Sequence, residues 1–289
     1  MALVIRQRRE APTGGTNRRG LLAPGGAILV EPGDERWVGG VEWEGGPCGS
    51  LLPRPVVCED TSKPEDVDPQ GIRTADAFYV SGYDQCSTLD TGRDRAANAR
   101  ANLAATESYQ AELEFWDGVA SRAAAPDLEN MWLARFEAAT AAAAGPLGYV
   151  RALAALDQAL AACLHGQQGM IHATPFTASM WMAAGLLRVE GQRLLTVMDS
   201  IVVAGSGYSG SAPAVADGGA PVAPADLAAG ANAYGTGLVY AQLGAVAVLE
   251  DTDRSVNTSR ARAERPVLLS TAGCCVLTVE VDHTSEIGA

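Results

Sequence analysis

Residues 146–175 read PLGYVRALAALDQALAACLHGQQGMIHATP, and this stretch decides the fold. Leu147, Val150, Leu153, Leu156, Leu160 and Leu164 recur every three or four positions, so they share one face of a helix, with Arg151, Asp157 and Gln158 elsewhere. The spacing predicts a helix over Pro146–His165, with Pro146 in its first turn and Gly166 as a left-handed cap. A Gly-bounded turn (Gly166–Gly169) leads directly to an apolar strand, Met170–Ala173. Thr174-Pro175 then opens a second helix, expected to reach Leu187, and a strand from Ile201 runs into glycine-rich chain ending at Gly210. Helices feeding strands through almost no connector indicate an α+β chain.

Before this stretch the chain reads as an arm and loops. Residues 1–25 mix Arg, Gly, Pro and Thr without periodicity, as in a segment that orders only against a partner. Short β-like runs follow (Ala27–Glu31, Trp37–Trp43, Pro53–Val57), then an acidic Pro-containing linker, Glu59–Pro69. A strand at Ala77–Ser81 and a turn-rich connector, Gly82–Thr91, precede a helix at about Arg93–Gly118. That helix places Ala99, Leu103, Leu113, Phe115 and Trp116 among arginines and carboxylates, a polar face suited to solvent or a neighbour. A further helix is expected from Pro126 through the alanine run Ala138–Ala144. After the central stretch, Ser211–Ala231 reads as a long loop, and strands resume at Gly237–Gln242 and Ala245–Glu250. A polar segment, Asp251–Ala263, separates them from closing strands at Val267–Ser270 and Cys274–Val281.

Composition narrows the function classes. The chain of 289 residues carries a formal net charge of −13, which argues against a general nucleic-acid coat with a basic face. Arg6, Arg8, Arg9, Arg18 and Arg19 concentrate positive charge at the start, and Lys63 is the sole lysine. Residues 1–9 lack the apolar core of a secretory signal, no apolar run approaches the ~18 residues of a membrane span, and a soluble chain made in the cytoplasm is expected. The six cysteines form no CxxC pair, so reduced, mostly buried thiols are expected; Cys48 and Cys58 bracket a loop short enough to pair in an oxidising setting.

Candidate chemistry is sparse. Gly205-Ser206-Gly207-Tyr208-Ser209-Gly210 matches GxGxxG after a strand, with Asp226 downstream, yet Ser211-Ala212-Pro213 follows where a dinucleotide site needs a helix. A strand-end turn is the expectation. Cys163, His165 and His172 are the only grouping that resembles a metal set, and without a fourth ligand structural histidines are expected. None of the carboxylates stands isolated in an apolar run, where a raised pKa would suggest acid–base work. Catalytic residues, cofactor and metal are therefore expected to be absent.

The order of an arm, an extended β-rich loop, a long helix leading into a strand, a Gly/Pro-rich centre and returning strands resembles the HK97-fold major capsid proteins of tailed bacteriophages. The residues carrying the likeness are Pro146–His165, Gly169–Pro175 and Gly191–Gly210, with Leu194-Leu195-Thr196 and Ile201-Val202-Val203 similar to the family's strand before a glycine turn. The tail, with Arg260, Arg262, Glu264 and Arg265 before Val267, is similar to the family's returning strand. The style is also that of phages infecting high-GC actinobacteria. The resemblance implies an HK97-like α+β fold divided as an N-terminal arm (1–25), an extended loop region (26–90), a peripheral domain with the spine helix (91–175), an axial domain (176–240) and return strands (241–289).

It further implies a virion subunit that assembles with itself into hexamers and pentamers, meets a portal and scaffold or decoration proteins, and contains double-stranded DNA by non-specific contact, away from any membrane. Arg6, Arg8, Arg9, Trp37, Trp43, Glu59, Asp60 and Lys63 are then the candidate inter-subunit contacts. With Lys63 alone available, lysine–asparagine cross-linking between subunits is not expected. The rival readings are an encapsulin-like compartment shell, a tail or cement protein, and a nucleotide-binding enzyme using the 205–210 turn.

Overall fold

A computed structural model describes residues 18–31, 35–44, 72–87, 93–118, 132–134, 140–212, 226–271 and 276–285. These residues build two sheets. The first centres on a 14-residue strand, β14 (Thr258–Thr271). On one flank β14 pairs antiparallel with β4 (Phe78–Ser87), and on the other with β12 (Val239–Leu243) and then β13 (Ala247–Asp253). Strand β1 (Ile28–Val30) adds in parallel beyond β12. The second sheet runs in the order β5 (Thr140–Ala141), β15 (Val276–Asp282), β11 (Gly230–Thr236), β7 (Met170–Ala173), β10 (Ile201–Ala204), β9 (Arg193–Leu195) and β8 (Arg188–Glu190), with β6 (Leu147–Gly148) also on β15. A separate hairpin pairs β2 (Val41–Glu44) with β3 (Ile72–Ala75).

The longest described helix, α1 (Arg95–Asp117, 23 residues), lies across the first sheet. Asp94 caps it by accepting from Ala97 N–H, and Gly118 closes it in the left-handed region. Small residues let it approach. On β14 Ser259, Ala261 and Ala263 alternate inward with exposed Arg260 and Arg262. On β4, Gly82 sits so close to the helix that an added Cβ would lie 2.2 Å from the Leu103 nitrogen. Polar side chains of α1 also cover the β4 edge. The Gln110 amide donates to Ser81 O at 2.8 Å and accepts from Ser81 N–H at 2.9 Å, while Asn102 donates to Tyr83 O at 2.8 Å. The Arg93–Asp84 ion pair fixes the start of α1 to the same strand.

Helix α2 (Tyr149–Cys163) presses Leu153, Leu156 and Leu160 onto the second sheet, and α3 (Pro175–Ala183), capped by Thr174, places buried Trp181 beside it. The two sheets share a core in which Met170, Ile201 and Tyr234 of the second meet Val239, Ala241 and Val267 of the first.

Several expectations change. Helix α2 starts at Tyr149 because Leu147–Gly148 pair with β15, and His165 as well as Gly166 takes the left-handed conformation (φ 53 and 79). Helix α3 ends at Ala183, short of Leu187. Strand β4 extends through the supposed connector to Ser87, and β13 and β14 occupy most of the supposed polar segment, since their exposed faces need no apolar residues. The alanine run forms β5 and bends at 140–144 in place of helix, and Trp132, Leu133 and Ala134 form a buried turn. The remainder of that helix, and the strands expected at Pro53–Val57 and Cys274–Cys275, lie outside the described residues. Trp37 belongs to a 3-10 turn, Glu35–Gly39, with only Val41 onward in a strand. The loop expected at Ser211–Ala231 gives way at Gly230 to an interior strand, β11, for which no strand was expected. The supposed arm also folds in part, because Leu21 is fully buried.

The close approach at Gly82 yields a test. Gly82→Val should cost about 2–3 kcal/mol or more by forcing α1 off β4, read as a lowered urea midpoint, whereas Tyr83→Val on the exposed face should change it little.

Candidate assembly surfaces and the buried polar node

Where α1 ends it is buried on nearly all sides, through Ala111, Glu112, Glu114, Phe115 and Trp116. Glu112 is fully buried and binds three separate parts of the chain. Its Oε1 accepts from Leu21 N–H at 2.8 Å and from the Ser108 hydroxyl at 3.0 Å. Its Oε2 accepts from Gly207 N–H at 2.9 Å and the Ser206 hydroxyl at 3.2 Å. Burial pushes the Glu112 carboxyl above its ordinary range, against the lowering effect of those donors. No carboxylate stands isolated in an apolar run of the sequence, and the enclosure of Glu112 comes from tertiary packing.

A second set of polar groups adjoins it. His172 on β7 is fully buried between Tyr208 Oη and Thr236 Oγ1, each at 2.9 Å. The Thr236 hydroxyl donates to Gly237 O, so His172 Nε2–H donates to Thr236 and Nδ1 accepts from Tyr208. Burial drives His172 down to about 3, which keeps the ring neutral. Trp116 packs tilted against Tyr208 and edge-to-face against Tyr234, with ring centroids 4.7 and 4.8 Å apart, and its indole N–H donates to Ser211 Oγ at 3.0 Å. The Ser211 hydroxyl donates in turn to Asp117 at 2.6 Å. His283 is held between Thr177 and Leu227 O. These groups satisfy one another, and the arrangement fastens segments together.

The Gly205–Gly210 turn is filled from within. A Cβ at Gly207 would lie 2.3 Å from Tyr109 O of α1, so the face a pyrophosphate would need is occupied by the helix. Ser211 and Ala212, the described residues that follow it, are not helical, and the Asp226 carboxylate accepts from Ala228 N–H. The turn is a strand-end clamp. Among the described residues no group of three or more His, Cys, Asp or Glu could hold a metal, and no helix is long and apolar enough to cross a membrane. Cys86 is a free thiol, but Cys163 is disulfide-bonded, against the reduced state expected.

Of the candidate contacts, Trp37 packs inside its own chain against Ala75 and Leu268 and is 8% exposed. Trp43 lies in β2 opposite Arg73. Arg6, Arg8, Arg9, Glu59, Asp60 and Lys63 lie outside the described residues. Among the described residues, open surfaces stand elsewhere. The outer face of the first sheet presents Tyr79, Tyr83, Leu249, Arg260 and Arg262, and the free end of the second sheet presents Val189, Val197 and Met198.

No protein-family model matches the sequence, and no curated protein does. Solved structures do match. The chain is similar to the capsid of a native GTA particle, with a TM-score of 0.56 at 15% identity over 97% of this chain and 96% of that one. The chain has the mixed α+β fold of phage capsid chains. A chain from Mycobacterium phage Adephagia matches with a TM-score of 0.53 at 12% identity over 99% and 97% of the two chains. One from Microbacterium phage Oxtober96 matches at 0.50 and 11% over 98% and 95%. At such identities the capsid fold is shared while individual side chains are not, so Glu112 and His172 are read from their own geometry.

Two titrations in the node oppose each other. Glu112, with its folded pKa raised, stabilises the fold most below the ordinary carboxylate range and loses that contribution as pH rises through the raised value. His172, with its pKa lowered from 6.5 to about 3, withdraws stability as pH falls through that window. Acidification from pH 6.5 should therefore destabilise Glu112→Gln more steeply than the native chain, and His172→Gln less steeply, in urea titrations at each pH. Glu112→Ala, which strands two buried N–H groups, should cost about 3–5 kcal/mol at pH 7.

Proposed function

We propose that the chain is the structural subunit of an icosahedral head shell of a tailed bacteriophage, built by self-assembly to enclose the genome. The observation that carries this reading is the correspondence of nearly the whole chain with nearly the whole of a GTA capsid protein. The interior supports it as well. Its buried polar groups are spent on holding the fold, as suits a building block more than a catalyst.

Within that reading the parts take new places. The family order puts the long helix directly after the extended loop, and α1 is both the longest described helix and the one that follows the β2–β3 hairpin. We therefore assign the spine helix to α1 and not to α2, and the peripheral unit to α1 with the first sheet. The axial unit is the second sheet with α2 and α3, which moves its start from residue 176 to about residue 140. The β2–β3 hairpin lies within the region assigned to the extended loop. On this reading the partners are copies of the chain in hexamers and pentamers, a portal, scaffold or decoration proteins, and DNA held without sequence preference inside an acidic wall. The location is the virion. The arginines at positions 6, 8 and 9 meet acidic chain such as Glu59 and Asp60 of an adjoining subunit, or the DNA.

The purified chain should elute as megadalton particles and appear in negative stain as closed shells or as rings of five and six. A monodisperse dimer or tetramer at high concentration would contradict the proposal. Replacing Arg6, Arg8 and Arg9 together with Ser should reduce the shell fraction at moderate salt while leaving the thermal midpoint unchanged.

A further inference from the structure

The first sheet ends at β1, and among the described residues no strand lies beyond it. Ile28, Leu29 and Val30 are all aliphatic and all exposed, Leu29 to 58%. An edge of this kind offers unpaired N–H and C=O groups to any extended segment, and natural proteins usually blunt it with charge or proline or cover it. These three residues carry neither charge nor proline. The edge is also held rigid. Ala27 N–H donates to Leu21 O at 2.7 Å and Gly26 N–H to Ala23 O at 2.8 Å, so the turn that launches β1 is tied, through Leu21 N–H, to Glu112. Little order remains to be lost when a strand adds here, which favours binding.

The sequence names the strand that fits. Outside the described residues, the longest run without glycine, proline or charge is 1–5, Met-Ala-Leu-Val-Ile. Leu3, Val4 and Ile5 match Ile28, Leu29 and Val30 in length and aliphatic character, with two β-branched residues in each set. In parallel register these three pairs stand opposite one another, and the next pair is Arg6 with Glu31. Glu31 is exposed and makes no ion pair among the described residues. Arg8 and Arg9 continue the positive charge on one strand, and Asp34 and Glu35 the negative charge on the other. The antiparallel alternative sets Arg6 against Ala27 and Glu31 against Ala2, so charge selects the parallel sense.

A second copy supplies the strand. Parallel neighbours within one chain are joined by a crossover, usually a helix. Here that connection would begin in residues 7–17, where Pro12, Gly14 and Gly15 oppose a helix and suit an open linker. Resting on the shell reading, we propose that residues 3–6 of one copy of this chain add in parallel to the β1 edge of the next, with Arg6 beside Glu31. The contact joins two different surfaces, so it repeats head to tail around a five- or six-membered ring and requires no two-fold axis.

Disulfide cross-linking of the assembled full chain tests this. Neighbouring strands stand about 4.7–4.9 Å apart, which brings opposed residues within disulfide reach. Val4→Cys combined with Leu29→Cys should give, under mild oxidation, a ladder of covalent dimers, trimers and larger multiples, several-fold above either single variant. Val4→Cys combined with Val256→Cys, on the exposed turn between β13 and β14, should not. Glu31→Arg should lower the ladder several-fold, and adding Arg6→Glu to it should restore the yield. Intact particles without the ladder, or with the new bond closed inside single chains, would overturn the exchange and leave the shell reading standing. Absence of particles from the unmodified chain would instead count against the shell reading, on which the exchange rests.

Discussion

One carboxylate inside the protein constrains everything around it. Removing Glu112 from water is costly, and only four donors arriving together offset that cost. Two of them, Leu21 N–H and Gly207 N–H, come from parts of the chain about ninety residues away on either side. The N-terminal segment, the end of α1 and the glycine turn must therefore be in place at once. Around this point Trp116, Tyr208 and Tyr234 pack ring against ring, and His172 links β7 to β11 and the turn. Buried polar networks of this kind specify one arrangement of segments more than they add stability.

Small side chains do the complementary work. Gly82, Ala261 and Ala263 bring α1 onto the first sheet, and the Ala- and Gly-rich strand β11 runs beneath α2 at the centre of the second. The shared core fixes the sheets to each other, while the outer face of the first sheet stays uncovered. Such a body suits a shell. It arrives stiff, so contacts repeated across many copies add without much further ordering.

Much of the architecture was legible in the sequence where periodicity was strong. Leu153, Leu156 and Leu160 marked α2, Met170–Ala173 and Ile201–Ala204 marked buried strands, and the Asp94 and Gly118 ends of α1 fell within two residues of expectation. The order of elements sufficed to suggest the capsid fold. Strand β11 was invisible because Gly, Ala and Asn have low strand propensity and are chosen here for size. The half of β14 that carries Arg260, Arg262 and Glu264 read by composition only as a polar segment, because its outer face is charged and its inner face is alanine, and the family likeness alone pointed to a returning strand there. Glu112 was missed for a related reason. It lies among exposed-looking charges, and only the density of Leu113, Phe115 and Trp116 hinted that this end of α1 is enclosed. Leu21 was missed because it belongs to a short apolar pair, Leu21-Leu22, in an arm-like stretch, held by a backbone bond that no pattern reveals.

The most direct test of this account is hydrogen–deuterium exchange on the unassembled subunit, native and Glu112→Gln. The account predicts that residues 18–27, the last two turns of α1 and residues 205–211 exchange as one slow class in the native chain, and that all three accelerate together in the variant. Fast exchange of residues 18–27 in the native chain, with α1 and the glycine turn still protected, would contradict it.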